Sequence, residues 1–188
     1  MADPDHGYVS RGGLKLAAAL DAFDLDVTGW TCADLGCSTG GFVDCLIQRG
    51  AGRVFAVDTA YGQLAWKLRQ DERVTVMERT NALHADPPPE AGRGCDLVSI
   101  DLGWTKQSRA LPVAERWLRP GVGRVVTLIK PHYESGEHRL AGDRTRGVAE
   151  RVVAEMAPSG WASHGLIESP IRGGKGGNVE YLALLTRG

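Results

Sequence analysis

A glycine-rich loop and a later aspartate give the first indication of chemistry in this sequence. Residues 34–42 read Asp-Leu-Gly-Cys-Ser-Thr-Gly-Gly-Phe and overlap the end of a short apolar run. Gly36 permits a tight turn, and Gly40 and Gly41 let the backbone approach a ligand at the start of a helix. Asp58 ends the next apolar run, where a carboxylate can accept hydrogen bonds from the ribose hydroxyls of an adenosine group. The spacing is neither the dinucleotide fingerprint nor a P-loop, and we expect a cofactor site rather than a purely structural turn.

Four ionisable side chains stand where they could act on a second ligand. Two of them end predicted strands, one lies early in the first predicted helix and one begins the last strand; they are Asp101, Lys130, Lys15 and Glu180. Each alone is compatible with a capped strand end or a surface charge. Lys130, however, ends a strand that is otherwise apolar. Because neighbouring parallel strands bring their carboxyl ends to one edge, we expect Asp101 and Lys130 to project over the same edge as the Gly36 loop.

The elements that must position these residues alternate between strand and helix. Predicted strands cover residues 31–36, 53–58, 74–78, 96–101, 124–130, 161–168 and 179–186. Predicted helices cover residues 14–23, 41–49, 63–69, 111–118 and 145–157, with Pro112 in a first turn. This order predicts an α/β fold: a Rossmann-like, mostly parallel seven-stranded sheet with helices on both faces. The last two strands have no helix between them and should form an antiparallel C-terminal hairpin.

Composition sets the limits of the interpretation. A chain of 188 residues predicts one domain over residues 1–188, with residues 1–10 as an extension. The net charge is −1, but residues 1–103 carry 9 Lys+Arg against 15 Asp+Glu and residues 104–188 carry 13 against 8, which permits one cationic face. Apolar runs fall short of the ~18 residues of a membrane span, and the polar N-terminus is unlike a secretory signal. We therefore expect a cytoplasmic protein and exclude a pore-forming toxin.

The cysteines show no paired spacing. The four cysteines are Cys32, Cys37, Cys45 and Cys95, and three of the four lie in apolar or glycine-rich segments. We interpret them as buried reduced thiols, with a zinc site or a disulfide as the alternatives.

Several motifs carry a resemblance to a known family. They are Tyr-Val-Ser-Arg-Gly-Gly-Leu-Lys-Leu at 8–16, Thr-Gly-Gly-Phe at 39–42, Tyr-Gly-Gln-Leu-Ala-Trp-Lys-Leu-Arg at 61–69, Glu-Arg-Thr-Asn at 78–81 and Leu-Ile-Lys-Pro-His-Tyr-Glu at 128–134. Together they resemble the TlyA (haemolysin A-like) branch of the FtsJ-type RNA 2′-O-methyltransferases, over roughly residues 8–187. The resemblance implies a class I methyltransferase fold, S-adenosylmethionine as methyl donor and ribosomal RNA as the usual acceptor.

The resemblance also implies a catalytic tetrad. Its members map onto Lys15, Asp101, Lys130 and Glu180. Our hypothesis makes Lys130 the base that deprotonates the ribose hydroxyl, with a pKa lowered by burial and by the like charge of Lys15. Asp101 would orient Lys130, Glu180 would position Lys15 or the ribose, and Lys15 could also hold a substrate phosphate.

The expected cofactor-binding residues belong to the loop and to the strand ends. They are Asp34, Gly36, Ser38, Gly40, Gly41, Phe42, Asp58, Asn81 and Asp101. Asn81 could read the adenine edge or serve only as a turn residue. No metal is expected.

The sequence departs from the branch in two places. Proteins of the TlyA type usually carry an N-terminal S4 RNA-binding domain, and this sequence begins where that domain would end, as a natural short form or a truncation. Residues 103–105, Gly-Trp-Thr, stand where the branch more often has an aliphatic-Ser-Phe-Ile-Ser run. This segment borders the expected acceptor site, so the acceptor stays open.

RNA contacts are expected from cations in loops and at element ends, since phosphate neutralisation drives such binding. These are Arg11, Lys106, Arg109, Arg139, Arg144, Arg146, Arg172 and Lys175. Trp104, His132 and Tyr133 could stack on a flipped base, whereas Trp30, Trp117 and Trp161 are expected to pack in the core or its rim. Two other functions stay open: a catalytically silent RNA-binding or ribosome-associated module, and a small-molecule methyltransferase.

Overall fold

A computed structural model describes residues 7–137, 140, 142–174 and 177–188 of the chain. The helices in this part are α1 (Gly12–Ala22), α2 (Gly41–Gln48), α3 (Trp66–Arg69), α4 (Gln107–Trp117), α5 (Pro131–Ser135) and α6 (Gly142–Met156). The strands are β1 (Thr31–Leu35), β2 (Arg53–Val57), β3 (Val74–Met77), β4 (Leu97–Ile100), β5 (Arg124–Ile129), β6 (Trp161–Glu168) and β7 (Tyr181–Arg187). No helix of the described ranges is long and apolar enough to cross a membrane.

The described strands form one seven-stranded sheet in the order β3-β2-β1-β4-β5-β7-β6. Strands β1 to β5 are parallel, and β7 pairs antiparallel with both β5 and β6. The predicted α/β fold, with a mostly parallel sheet and an antiparallel C-terminal hairpin, is confirmed.

Two hydrophobic cores lie on opposite faces of this sheet. Helices α1 and α2 cover one face, and α4 and α6 cover the other. Successive residues of a strand alternate between the two cores, as in β2, where Val54 packs with the first and Phe55 with the second. Burial on both faces explains why the strands read as nearly continuous apolar runs.

The bounds of all five predicted helices shift in the structure, and two of these shifts have a clear physical reason. The helix predicted over residues 63–69 is a single turn, because Ala65 is extended (ψ 139°) and its N–H bonds to the carbonyl of Thr39. Helix α4 begins four residues earlier than predicted, so Pro112 lies inside it rather than in its first turn. This is tolerated because Pro112 and Ser108, whose carbonyl loses its helical partner, are both exposed.

The cysteine side chains and three tryptophan side chains pack as the sequence predicts. All four cysteines are buried free thiols, as predicted. Trp117 and Trp161 are buried. Trp30 lies at the rim, where the guanidinium of Arg124 sits 5.3 Å from its ring centroid.

Candidate active site

The carboxyl ends of the parallel strands form one edge of the sheet, and three cavities open along it. The loop cavity (about 250 Å³) is lined by residues 36–39 of the β1–α2 loop, together with Asp34 and Lys15. The Asp58 cavity (about 430 Å³) lies towards β3, and the lysine cavity (about 780 Å³) lies towards β5 and β7. Asp101, directly after β4, lines all three.

Gly36 brings the β1–α2 loop against the end of β4. Its φ is +96°, and a Cβ placed there would lie 2.6 Å from the carbonyl oxygen of Asp101. No other residue could combine this left-handed conformation with that approach. The glycine predicted to make a tight turn therefore also sets the spacing between the loop and Asp101.

Asp58 is fixed by backbone donors of two loops. Its Oδ2 accepts the N–H of Ser38 at 2.7 Å, and its Oδ1 accepts that of Ala60 at 2.8 Å. A carboxylate oxygen can accept more than one bond, so the group keeps capacity for a ligand in the Asp58 cavity. Asn81 lines the same cavity, but its Oδ1 already closes a turn by accepting the N–H of Leu83 at 3.0 Å.

Lys15 reaches the edge because α1 packs tightly on α2. A side chain at Gly41 would meet Ser10 and the backbone of Gly12 and Gly13, so only glycine allows this contact. The Nζ of Lys15 then lies 2.5 Å from Oε2 of Glu180, which stands immediately before β7 rather than at its first position. Both side chains are almost fully buried, at 10% and 5% exposure.

Lys130 forms a second, separate ion pair. Its Nζ lies 2.5 Å from Oδ1 of Asp101 and 3.3 Å from the carbonyl of Leu102. Burial lowers the pKa of Lys130, but the charge of Asp101 and its hydrogen bond outweigh burial and raise the pKa overall. The expectation that burial and Lys15 lower this pKa is therefore wrong for the ligand-free protein. Lys15 is matched by Glu180, while Lys130 faces its own carboxylate.

Asp34 is a buried carboxyl with an unused oxygen. Its Oδ1 accepts the hydroxyl of Ser99 at 2.8 Å, whereas its Oδ2 has no hydrogen-bond partner among the residues that the structure describes. Burial raises the pKa of Asp34 to about 8, and the charges of Asp101 and Asp58 act in the same direction. Burial therefore favours the neutral, protonated form of this carboxyl in the ligand-free protein. Ser99 was missed at the sequence level, although a serine inside the apolar strand β4 is a signal for such a partner.

Helix α5 was also missed, and it positions two aromatic side chains. Pro131 at its first position and Gly136 just after its end are the start and stop signals that could have revealed it. Tyr133 stacks on Trp104 with ring centroids 4.6 Å apart and planes at 27°. Trp104 is 80% exposed, and both rings line the lysine cavity together with His132.

The loop after β6 closes the site from the other side. Gly173 approaches the carboxylate of Glu180 so closely that a side chain there would collide with it. Gly174 lines both the loop cavity and the lysine cavity. Gly174 thus places backbone between the two cavities, which Lys15 and Asp101 also line.

The predicted RNA-contacting cations do not all reach this edge. Arg11 and Arg172 line the loop cavity, and Lys106 precedes α4. Arg144 and Arg146 pair with Glu137 and Glu150 on the surface. Arg109 is exposed on α4. Arg139 and Lys175 lie outside the described residues.

The remaining cofactor-site residues complete the loop cavity. Phe42 is buried in its wall, and Gly40 precedes α2 with φ +97°. The Oδ2 of Asp34 and the backbone exposed at Gly36 and Gly41 fit a ligand with a positively charged group. Together, the sheet and this glycine loop define a Rossmann-like methyltransferase domain.

The family is shown by comparison with known proteins. Residues 8–187 match the model of the FtsJ-like methyltransferase family, and the chain belongs to that family. The predicted methyltransferase class and its cofactor, S-adenosylmethionine, are confirmed at the level of the family.

Named relatives agree with this membership. The chain is 41% identical over 192 residues to the 16S/23S rRNA (cytidine-2′-O)-methyltransferase TlyA of Mycobacterium tuberculosis, covering 98% of this chain and 70% of that protein. It is 42% identical over 182 residues to YqxC of Bacillus subtilis, covering 93% of this chain but only 64% of that protein. The chain thus spans less than two thirds of the length of that relative.

Solved structures show the same architecture. A Streptococcus thermophilus protein provisionally named a hemolysin matches with a TM-score of 0.88 at 40% identity, over 100% of this chain and 69% of that one. Fibrillarin of Aeropyrum pernix, solved with bound S-adenosyl-L-methionine, matches with a TM-score of 0.65 at 20% identity, over 93% of this chain and 76% of that one. The second likeness concerns the fold alone.

Proposed function

We propose that this domain transfers the methyl group of S-adenosylmethionine to a ribose 2′-hydroxyl of RNA, with ribosomal RNA as the substrate. One observation carries the proposal: two lysine–carboxylate pairs, one buried and one partly buried, line a single large cavity, and that cavity meets the cofactor loop at Asp101. The relatives named as rRNA 2′-O-methyltransferases support it. Action on ribosomal RNA would place the protein in the cytoplasm.

The cofactor would lie along the β1–α2 loop. Asp58 would receive the ribose hydroxyls of its adenosine, and Asn81 would border the adenine. Asp34, through its free Oδ2, would face the amino-acid end of the molecule in the loop cavity. When bound, S-adenosylmethionine supplies an activated methyl group and a positive charge.

Lys130 would accept the proton of the acceptor hydroxyl, and Asp101 would control the charge state of Lys130. The new bond joins the 2′-oxygen to the methyl carbon, the carbon–sulfur bond breaks, and the hydroxyl proton passes to the Nζ of Lys130. Lys130 can accept this proton only in its neutral form, and its pair with Asp101 opposes that form. Asp101 also lines the loop cavity. A positively charged ligand bound there would compete with Lys130 for the Asp101 carboxylate and so weaken the pair.

Lys15 and Glu180 would act as a fixed ion pair with no net charge, and this pair would position the ribose. Alignment is the larger part of the task, because the methyl donor is already activated. The Trp104–Tyr133 stack lies at the mouth of the same cavity. There it would hold the target base flipped out of the RNA helix.

Methyl transfer to RNA is the direct test. Purified ribosomal subunits, naked rRNA and transfer RNA are incubated with labelled S-adenosylmethionine and the wild-type protein or Lys130→Met. We expect label in alkali-stable 2′-O-methyl nucleotides, and its loss in the variant. Cofactor binding by calorimetry without transfer to any of these RNAs would instead favour a silent module, and label in small molecules only would contradict an RNA acceptor.

A further inference from the structure

The exposed aromatic side chains of the described residues gather at one edge of the sheet. Four large hydrophobic side chains are exposed there and elsewhere: Tyr61 at 69%, Trp66 at 72%, Trp104 at 80% and Val122 at 54%. The three aromatic ones all follow the carboxyl ends of parallel strands, and Val122 lies before β5 at the opposite end. Trp104 belongs to the lysine cavity, which leaves Tyr61 and Trp66 without a role in the proposed chemistry.

Tyr61 and Trp66 lie in the segment that connects β2 to β3. The guanidinium carbon of Arg79 sits 4.2 Å from the centroid of the Tyr61 ring. The backbone N–H of Arg79 donates to the carbonyl of Ala60 at 3.2 Å, which ties the turn after β3 to this segment. The result is an exposed aromatic ring already layered on a cation.

The same surface is held rigidly from below. Leu64 and Leu68 are buried, and a side chain at Gly40 would strike both. Glu78 accepts the N–H of Gly62 at 2.8 Å and pairs with Arg69. These contacts hold the loop that carries the exposed rings, so the loop needs little reordering to bind a ligand.

The charges of this surface have one sign. Within residues 58–69 and 78–81, the exposed charged side chains are Lys67, which pairs with Asp44 at 2.9 Å, and Arg79, and both are cations. The carboxylates Asp58 and Glu78 are turned inward, where they accept backbone N–H bonds. Exposed rings can stack on bases, and cations can neutralise phosphates. A surface with both, and without exposed carboxylates, suits single-stranded RNA.

We propose that Tyr61, Trp66 and Arg79 form a second RNA-binding surface, which stacks and neutralises the strand that continues from the nucleotide held in the lysine cavity. Strand β2 lies three positions from β5, which leads to Lys130, so the two strands are about 15 Å apart. A few nucleotides of an extended strand can cover this distance. The proposal rests on RNA being the acceptor, as proposed above. It adds residues that bind RNA but do not touch the reacting atoms.

The test compares Tyr61→Ala, Trp66→Ala and Arg79→Gln with Arg124→Gln, using total ribosomal RNA as the probe. Arg124 is the matched control because it also lies over an aromatic ring, Trp30, but at the amino ends of the strands. RNA affinity is measured by filter binding at several salt concentrations, and S-adenosylmethionine affinity by calorimetry. Tyr61→Phe tests whether the ring alone restores binding.

We expect the two alanine variants each to weaken RNA binding by about tenfold, since one lost base stack has that effect. Tyr61→Phe should bind as the wild type does, and Arg79→Gln should reduce the salt dependence by about one counterion. In methyl transfer, the variants should raise KM for RNA more than they lower kcat. Arg124→Gln should behave as the wild type in every assay.

Two results would overturn the proposal: wild-type RNA affinity in all three variants, or absence of RNA binding by the wild-type protein. Failure of methyl transfer is a different result, because binding is measured without turnover. If the wild type binds RNA without methylating it and the variants bind more weakly, the surface stands and the proposed function falls.

Discussion

The Nζ atom of Lys130 lies 2.5 Å from Oδ1 of Asp101, so the lysine proposed as the base is held as an ammonium ion in the ligand-free protein. Lys15 is paired with Glu180, whose charge also acts on Lys130. The four ionisable residues thus form two salt bridges rather than one cluster of interacting lysines. This arrangement opposes proton release from Lys130 in the ligand-free protein.

Replacing Lys130 with methionine should abolish most methyl transfer while preserving the cofactor site. Methionine keeps most of the apolar stem but cannot take a proton, so kcat should fall by about 10²–10⁴-fold. S-adenosylmethionine affinity, measured by calorimetry, should change little. A variant with wild-type turnover on a proven RNA substrate would show that Lys130 is not the base.

Asp101→Asn should shift the pH dependence of turnover to lower pH. The charge of Asp101 raises the pKa of Lys130, so removing that charge lowers the pKa. Since the neutral lysine is the active form, the rising limb of kcat against pH should move in the acidic direction. The measurement is kcat at saturating RNA and cofactor from neutral to alkaline pH. If the rising limb of kcat against pH does not shift, Asp101 does not influence the pKa of the catalytic base.

Asp34→Asn should remove a pH-dependent destabilisation of the ligand-free protein. The pKa of Asp34 is raised from 3.8 to about 8, so the folded state retains a proton that the unfolded chain releases. The free energy of unfolding should therefore fall as pH rises between these values, and the full cost applies above pH 8. This cost is on the order of a few kcal/mol.

Urea unfolding at a series of pH values measures this effect. The variant should gain stability relative to the wild type as pH rises, whereas Asp86→Asn, at a largely exposed carboxylate, serves as the control. Parallel curves for the wild type and Asp34→Asn would mean that Asp34 is ionised when buried.

Gly36→Ala should disturb the loop far more than Gly29→Ala. Both glycines have positive φ, so both substitutions carry backbone strain of about 1 kcal/mol. Only the Cβ at position 36 meets a backbone atom, the carbonyl of Asp101, whereas position 29 is open. We expect at least a tenfold loss of S-adenosylmethionine affinity for Gly36→Ala alone. Equal affinities in the two variants would contradict the assigned role of the loop.

Trp104→Ala should weaken use of RNA without weakening cofactor binding. Its ring is exposed and stacks on Tyr133, so its loss removes one face on which a base could stack. KM for RNA should rise by about tenfold, the scale of one base–aromatic stack. Trp104→Phe should recover most of this loss. If Trp104→Ala leaves KM unchanged, the target base is held elsewhere.

Sequence and structure contributed different parts of this description. The alternation of apolar runs with helical stretches predicted the sheet, because burial on both faces leaves a local pattern in every strand. The same logic placed Asp58, Asp101 and Lys130 at one edge. The predicted helix bounds were wrong where long-range contacts decide them, as at Ala65, whose N–H bonds to the carbonyl of Thr39 in the β1–α2 loop instead of continuing a helix.

The pairing of charges was decided only by the tertiary structure. Lys15 and Glu180 are far apart in sequence, and nothing in their local patterns says that they meet or that Lys130 faces Asp101 instead. The direction of a pKa shift depends on burial and on the nearest charges in space, so the sequence alone predicted the wrong sign for Lys130. The residue types and strand ends therefore determined which groups gather at the site, and the packing of α1, β4 and β7 determined which of them touch.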